Sequence, residues 1–153
     1  MLKRTFFITI LLPILLTNSL WAATKVSIRE DSVIDVVYMG GTDCPPCRMW
    51  KIFDLPKLRE SKEFPHIRFT EVKKWIPDPV PAAKDLPEHL QSMHDELERV
   101  INSKKGSPFF ALLVDGKGVK GGFGQSAYDA IRPLITELVD RKLSAVTRQP
   151  VPG

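Results

Sequence analysis

The stretch Val33-Ile34-Asp35-Val36-Val37-Tyr38-Met39-Gly40-Gly41-Thr42-Asp43-Cys44-Pro45-Pro46-Cys47-Arg48-Met49-Trp50-Lys51-Ile52-Phe53 runs through an apolar β-branched segment, a glycine turn, a Cys-x-x-Cys pair and a helix-like segment. Residues 33–39 are almost continuously apolar, which is the pattern of a strand covered on both faces and hence of the interior of an α/β sheet. Pro45 and Pro46 suit a first helical turn, where the N–H groups they lack would have had no intrahelical partner. The pair is therefore expected at a helix start. Pro56 is expected to stop or kink that helix near Leu55, with residues 58–63 forming a second short piece.

A helix start gathers unsatisfied N–H groups and a partial positive charge, and both favour a thiolate. Thiolate is the attacking species in thiol–disulfide exchange. Cys44, at the tip, is the expected exposed nucleophile. Cys47, one turn in, is the expected resolving thiol. Asp43 adds a negative charge that disfavours thiolate, and Pro45 and Pro46 withhold two N–H donors. Arg48 and the helix start act the other way. The balance predicts a Cys44 thiol lowered only moderately and a dithiol that is not a strong oxidant.

Other uses of the pair compete with redox chemistry. A structural disulfide would close a four-residue loop and stabilise the chain by only roughly 2 kcal/mol. Haem attachment requires His where Arg48 stands. Zinc would need two further ligands; His66 lies on a predicted strand, and His89 and His94 are five apart and do not share a helical face cleanly. A copper(I) dithiolate matches the preference of that ion for soft thiolates and stays open, as does the structural cross-link. No resident metal or cofactor is expected.

Outward from the pair, Ile67 and Phe69 alternate with polar residues in a second strand, and a strand–helix–strand unit of this length favours a parallel, right-handed crossover. A proline-rich connection, 75–87, leads to a helical segment at about 85–104. Asp85 and Glu88 have capping-box spacing there, and Leu86, Leu90, Met93, Leu97 and Ile101 recur at helical spacing. Lys104, Lys105 and Gly106 read as its stop. Ser107-Pro108 precedes a third strand, 109–114, and residues 119–123 return as its hairpin partner, with a bulge suggested by Gly121-Gly122. Ser126 and Asp129 begin a last helix, buried through Ile131, Leu134, Ile135, Leu138 and Val139, with a kink or late start at Pro133.

The length of 153 residues and the 43% apolar fraction fit one folded domain. Residues 1–23 read as a secretory signal: Lys3 and Arg4 are its positive region, Phe6 to Leu16 its apolar region, and Ala22 or Ala23 its cleavage position. The apolar run is about half the ~20 residues a spanning helix needs, so no stable membrane insertion is expected after processing. Loss of Lys3 and Arg4 takes the net charge from +4 to +2. With no basic stripe, this gives no basis for a nucleic-acid partner. The domains expected are a signal at 1–23, a folded unit at 24–146 and a flexible tail at 147–153. Export to the periplasm would put both cysteines where disulfides persist.

Strand 33–39, Cys44-Pro45-Pro46-Cys47 at a helix start, Ser107-Pro108 before strand 109–114, and the terminal hairpin and helix together resemble the thioredoxin superfamily. The resemblance covers most of residues 33–140. It implies a thioredoxin-like α/β fold with a mixed sheet in the order 67–73, 33–39, 109–114, 119–123, flanked by helices and carrying a helical insertion at about 85–104. It implies a cis Pro108 facing the dithiol, with Ser107 offering its backbone to a substrate chain. It also implies an exported thiol:disulfide oxidoreductase acting on protein thiols and disulfides, with a membrane-bound redox partner. A copper(I) chaperone, or a dedicated reductant in cytochrome or copper-site maturation, is the alternative. The chain departs from thioredoxins proper, which have Trp where Asp43 stands, a buried carboxylate where Tyr38 stands, and Gly where Pro45 stands.

Overall fold

Ile34–Gly40 forms β1, and all seven of its residues are buried. In the computed structural model, which describes residues 26–75 and 78–147, β1 lies inside a four-stranded sheet. It pairs in parallel with β2 (Arg68–Lys73) and antiparallel with β3 (Phe109–Val114), and β4 (Lys117–Phe123) completes the order β2-β1-β3-β4. This is the strand order expected from the sequence. The signal predicted at 1–23 and positions 148–153 of the predicted tail lie outside the described residues. Thr147 is the last residue of the C-terminal helix.

Alternation along β1 and β3 divides the core in two. Ile34, Val36 and Tyr38 share a face with Phe110, Leu112 and Val114, against Cys47 and Trp50 of helix α1 (Pro45–Phe53) and Ile131 and Ile135 of helix α5 (Gly124–Thr147). Val37, Met39, Phe109, Ala111 and Leu113 face the other way, onto Val80, Leu86, Leu90, Leu97 and Ile101. The segment read as an insertion thus covers the second face of the sheet. Without it, the apolar side chains of that face would be open to water. Asp35, on β1, is fully buried and is held by its cross-strand neighbour Arg68, with Nε to Oδ1 at 2.5 Å and Nη2 to Oδ2 at 2.9 Å. The two-pronged ion pair meets the requirement that a buried carboxylate be both paired and hydrogen-bonded.

Several expected boundaries move. Pro56 does not stop a helix but stands in the first turn of helix α2 (Leu55–Arg59), after α1 has ended at Asp54. The single helical segment expected at about 85–104 is two helices, α3 (Glu88–Gln91) and α4 (His94–Ile101). The Met93 N–H bonds the Leu90 carbonyl at 3.0 Å, a tight three-residue turn that breaks the helix while keeping Leu90, Leu97 and Ile101 buried. Asp85 sits in a 3-10 turn, not at the cap. α4 stops at Asn102, in the left-handed conformation with φ 45°, before the expected Gly106 signal. The β3–β4 turn is Asp115-Gly116, with φ of 49° and 76°, a two-residue loop that matches strand twist. The bulge falls at Val119, skipped between the pairs Leu112–Lys120 and Leu113–Gly118, and not at Gly121-Gly122. α5 starts before Ser126 and continues through Pro133.

Candidate active site

Cys44 is the N-cap of α1, in extended conformation, with Pro45 and Pro46 filling the first turn as expected. Cys44 and Cys47 are joined in a disulfide, with their Cα atoms 5.2 Å apart. The Cys47 N–H donates to the Cys44 Sγ at 3.2 Å, so the first-cysteine sulfur satisfies one of the free donors of the helix start. On the far side, the Ser107 hydroxyl lies 3.2 Å from the Cys47 Sγ. A disulfide sulfur carries no proton, so the hydroxyl is the donor. The Ser107–Pro108 peptide is cis. The fold thus brings β1's turn, the start of α1 and the loop before β3 to one point.

The expected exposure of Cys44 is not found. Cys44 is 2% exposed and Cys47 1%. The bond to Cys47 turns the Cys44 side chain inward, into the cluster that holds Tyr38, Trp50 and Phe110. The four residues expected to tune the pair, Asp43, Pro45, Pro46 and Arg48, are exposed around it. Ser107 is also buried, at 5% exposure, and its hydroxyl is directed at Cys47. The family resemblance implies only a backbone role for Ser107.

Beneath the disulfide, Tyr38 stacks on Trp50 with ring centroids 4.5 Å apart, and Phe110 and Tyr128 pack on Trp50 edge-on. The Tyr38 hydroxyl and the Trp50 indole N–H have no hydrogen-bond partner among the described residues. Burial, with the Glu71 carboxylate adding to it, pushes the Tyr38 phenol well above its ordinary value, so the hydroxyl stays neutral. A Cβ on Gly40 would meet the Tyr38 hydroxyl oxygen at 2.2 Å, which fixes glycine at the end of β1. Lys51 of α1 and Glu71 of β2 form an ion pair beside this ring.

Two residues near the site were not legible as such. Lys74 follows β2, and its Nζ donates to the carbonyls of Trp75, Asp78 and Gly106. Gly106, read as a helix stop, instead has φ 113° in the loop just before Ser107. Its adjacency to Ser107-Pro108 was the available signal; Lys74 had none. Lys73, Lys74 and Trp75 line a cleft of about 240 Å³ with Thr42 and Asp43, and Trp75 is 71% exposed there.

A four-stranded mixed sheet in this order, flanked by helices, with a Cys-x-x-Cys disulfide at the tip of α1 and a cis Ser–Pro step touching it, is a thioredoxin-like fold. No protein-family model matches the chain, and no curated protein sequence does. Solved structures similar to it include the periplasmic thioredoxin SoxS from Paracoccus pantotrophus in its reduced form, at 14% identity over 70% of this chain and 96% of that one, with a TM-score of 0.42. Another is Chlamydomonas reinhardtii thioredoxin f2, at 19% identity over 77% of this chain and 87% of that one, also with a TM-score of 0.42. The fold assignment stands on the strand order and the site.

Proposed function

We propose that this chain is an exported, periplasmic thiol:disulfide oxidoreductase that exchanges disulfides with protein substrates through Cys44 and Cys47, as a reductant and not as a strong oxidant. The observation that carries the proposal is the disulfide at the tip of α1 with the Ser107–Pro108 step against it. In the reduced protein, the Cys44 thiolate attacks one sulfur of a substrate disulfide, and the other substrate sulfur leaves as a thiolate. The Cys47 thiolate then attacks the Cys44 Sγ, expelling the second substrate thiolate and closing the Cys44–Cys47 bond. Two electrons pass to the substrate, and solvent protonates its two thiolates. A membrane-bound redox partner restores the dithiol. The backbone at Ser107 and Pro108 holds the substrate chain while this happens. Because Cys44 is only 2% exposed, docking must uncover its sulfur.

The processed chain should reduce insulin in the presence of dithiothreitol, Cys44→Ser should abolish the turnover, and Cys47→Ser should accumulate a mixed disulfide through Cys44. Insulin turnover by wild type no faster than dithiothreitol alone would sink the reading. The burial of both sulfurs favours one competing reading, a structural cross-link. The rate of exchange with glutathione separates the two, since an exchanging bond comes to equilibrium quickly while a structural one resists attack.

A further inference from the structure

We propose that Lys74 is a positioning residue for the substrate-holding loop, its ammonium tying Gly106-Ser107-Pro108 to the strand end and turn that carry Cys44. The inference rests on the function proposed above.

Lys74 touches both loops that bracket the disulfide. Its backbone N–H bonds the carbonyl of Gly40, where β1 gives way to the turn leading to Cys44, at 3.2 Å. Its Nζ reaches the carbonyls of Trp75 at 2.8 Å, Asp78 at 2.6 Å and Gly106 at 2.7 Å. An ammonium has three donors and no acceptor, so a set of carbonyls is its natural complement, and bonds from a charged donor are stronger than neutral ones. The same Nζ lies 4.5 Å from the centroid of the Phe109 ring, a cation held over an aromatic face. The group is therefore held from several directions.

Gly106 needs such a hold. With φ 113° it is in a region that side-chain-bearing residues rarely adopt, and a Cβ there would come within 2.5 Å of the Phe123 ring. The residue has no side chain with which to fix itself. Lys74 takes its carbonyl and the Phe123 ring closes over its α-carbon. The next residue, Ser107, places its hydroxyl 3.2 Å from the Cys47 Sγ, and Pro108 passes its own carbonyl to the Gly124 N–H at 2.9 Å. Freeing the Gly106 carbonyl would unmoor the one end of this loop that the sheet does not hold. A polypeptide that lies along the loop would lose its seat. A small disulfide that reaches Cys44 without the loop would not.

The test compares insulin with dithiobis(nitrobenzoate) as substrates of the full processed chain. Lys74→Met should raise KM for insulin about tenfold, with kcat and the rate on the small disulfide within about twofold of wild type. Lys74→Arg, which keeps a cation and donors, should recover most of the loss. Lys73→Met, which removes the same charge from the same cleft, should match wild type. An unchanged insulin KM in Lys74→Met overturns the proposal, as does an equal loss on both substrates or an equal effect of Lys73→Met. Wild type inactive on insulin overturns the proposed function and this inference with it; active wild type with an indifferent Lys74→Met overturns the inference alone. Should Lys74→Met not fold, the wild-type ammonium resonance decides. Slowly exchanging Lys74 Nζ protons coupled to the Gly106 carbonyl support the clamp, and protons that exchange as fast as those of exposed Lys73 overturn it.

Discussion

Ser107 can act through two groups. Its backbone, next to Pro108, is the part proposed above to hold a substrate chain, and its hydroxyl is directed at the Cys47 Sγ. Tyr38 stands where thioredoxins proper carry a buried carboxylate, and its phenol is kept neutral by burial. That leaves the Ser107 hydroxyl as the polar group hydrogen-bonded to the Cys47 Sγ among the described residues. In the reduced protein the same O–H can donate to the Cys47 thiolate, and a hydrogen bond to a charged acceptor stabilises it by about 1.5–3 kcal/mol. Ser107→Ala should therefore slow the resolving step about fivefold, the smaller thiolate fraction being offset in part by a more nucleophilic sulfur. The expected observation is a larger trapped fraction of Cys44–substrate mixed disulfide in acid-quenched turnover. Alkylation of Cys44 by a small reagent should change little. An unaltered mixed-disulfide fraction would mean that the contact serves packing alone.

At the scale of elements, the connection after α2 is tied to α5 by Glu63, whose carboxylate accepts the Thr136 hydroxyl at 3.0 Å. Burial pushes the Glu63 carboxyl up. Hydrogen bonds from its own backbone, from Thr136 and from Ser61, with the Lys62 charge, outweigh this, and the net shift is downward. A carboxyl lowered by folding stabilises the native state above its unfolded value, near 4.3, and that contribution is lost as pH falls through the lower folded value. Glu63→Gln should lower stability by about 1 kcal/mol at neutral pH. The gap to wild type should close as urea unfolding is repeated from about pH 5 down to about pH 3. A gap that is constant over this range would remove Glu63 from the acid limb.

The elements themselves differed in legibility for physical reasons. β1 and β3 were readable because continuous burial on two faces demands an unbroken apolar run, and 33–39 and 109–114 are such runs. The break between α3 and α4 was not, because Leu90, Leu97 and Ile101 reach the core with or without a tight turn at Met93. The Val119 bulge was hidden behind Gly121-Gly122, which advertise irregularity but lie in regular pairing with Ala111 and Phe110. The clamp from Lys74 to Gly106 joins residues 32 apart in sequence, and no local pattern encodes a contact of that range.

At the scale of the whole molecule, the sheet is covered on both sides by clusters built mainly of other side chains, with Cys44 and Cys47 two members of the one on the α1 side. The Cys44–Cys47 bond closes a loop too short to constrain the unfolded chain much, and it is worth roughly 2 kcal/mol in the chain-entropy account. Cys44→Ala with Cys47→Ala should therefore fold, lose no more than about 2 kcal/mol in denaturant titration, and be inert towards insulin. A double variant that fails to fold would instead mark the disulfide as part of the scaffold.

For the exported reductant proposed above, the depth of the two sulfurs has a consequence. Electrons delivered to an oxidising compartment drain readily into any small disulfide that collides with an open thiolate. A covered dithiol meets fewer such collisions than an open one, and it exchanges fastest when a docked partner uncovers it. In a protein built this way, selectivity comes less from the voltage of the couple than from who is admitted to it.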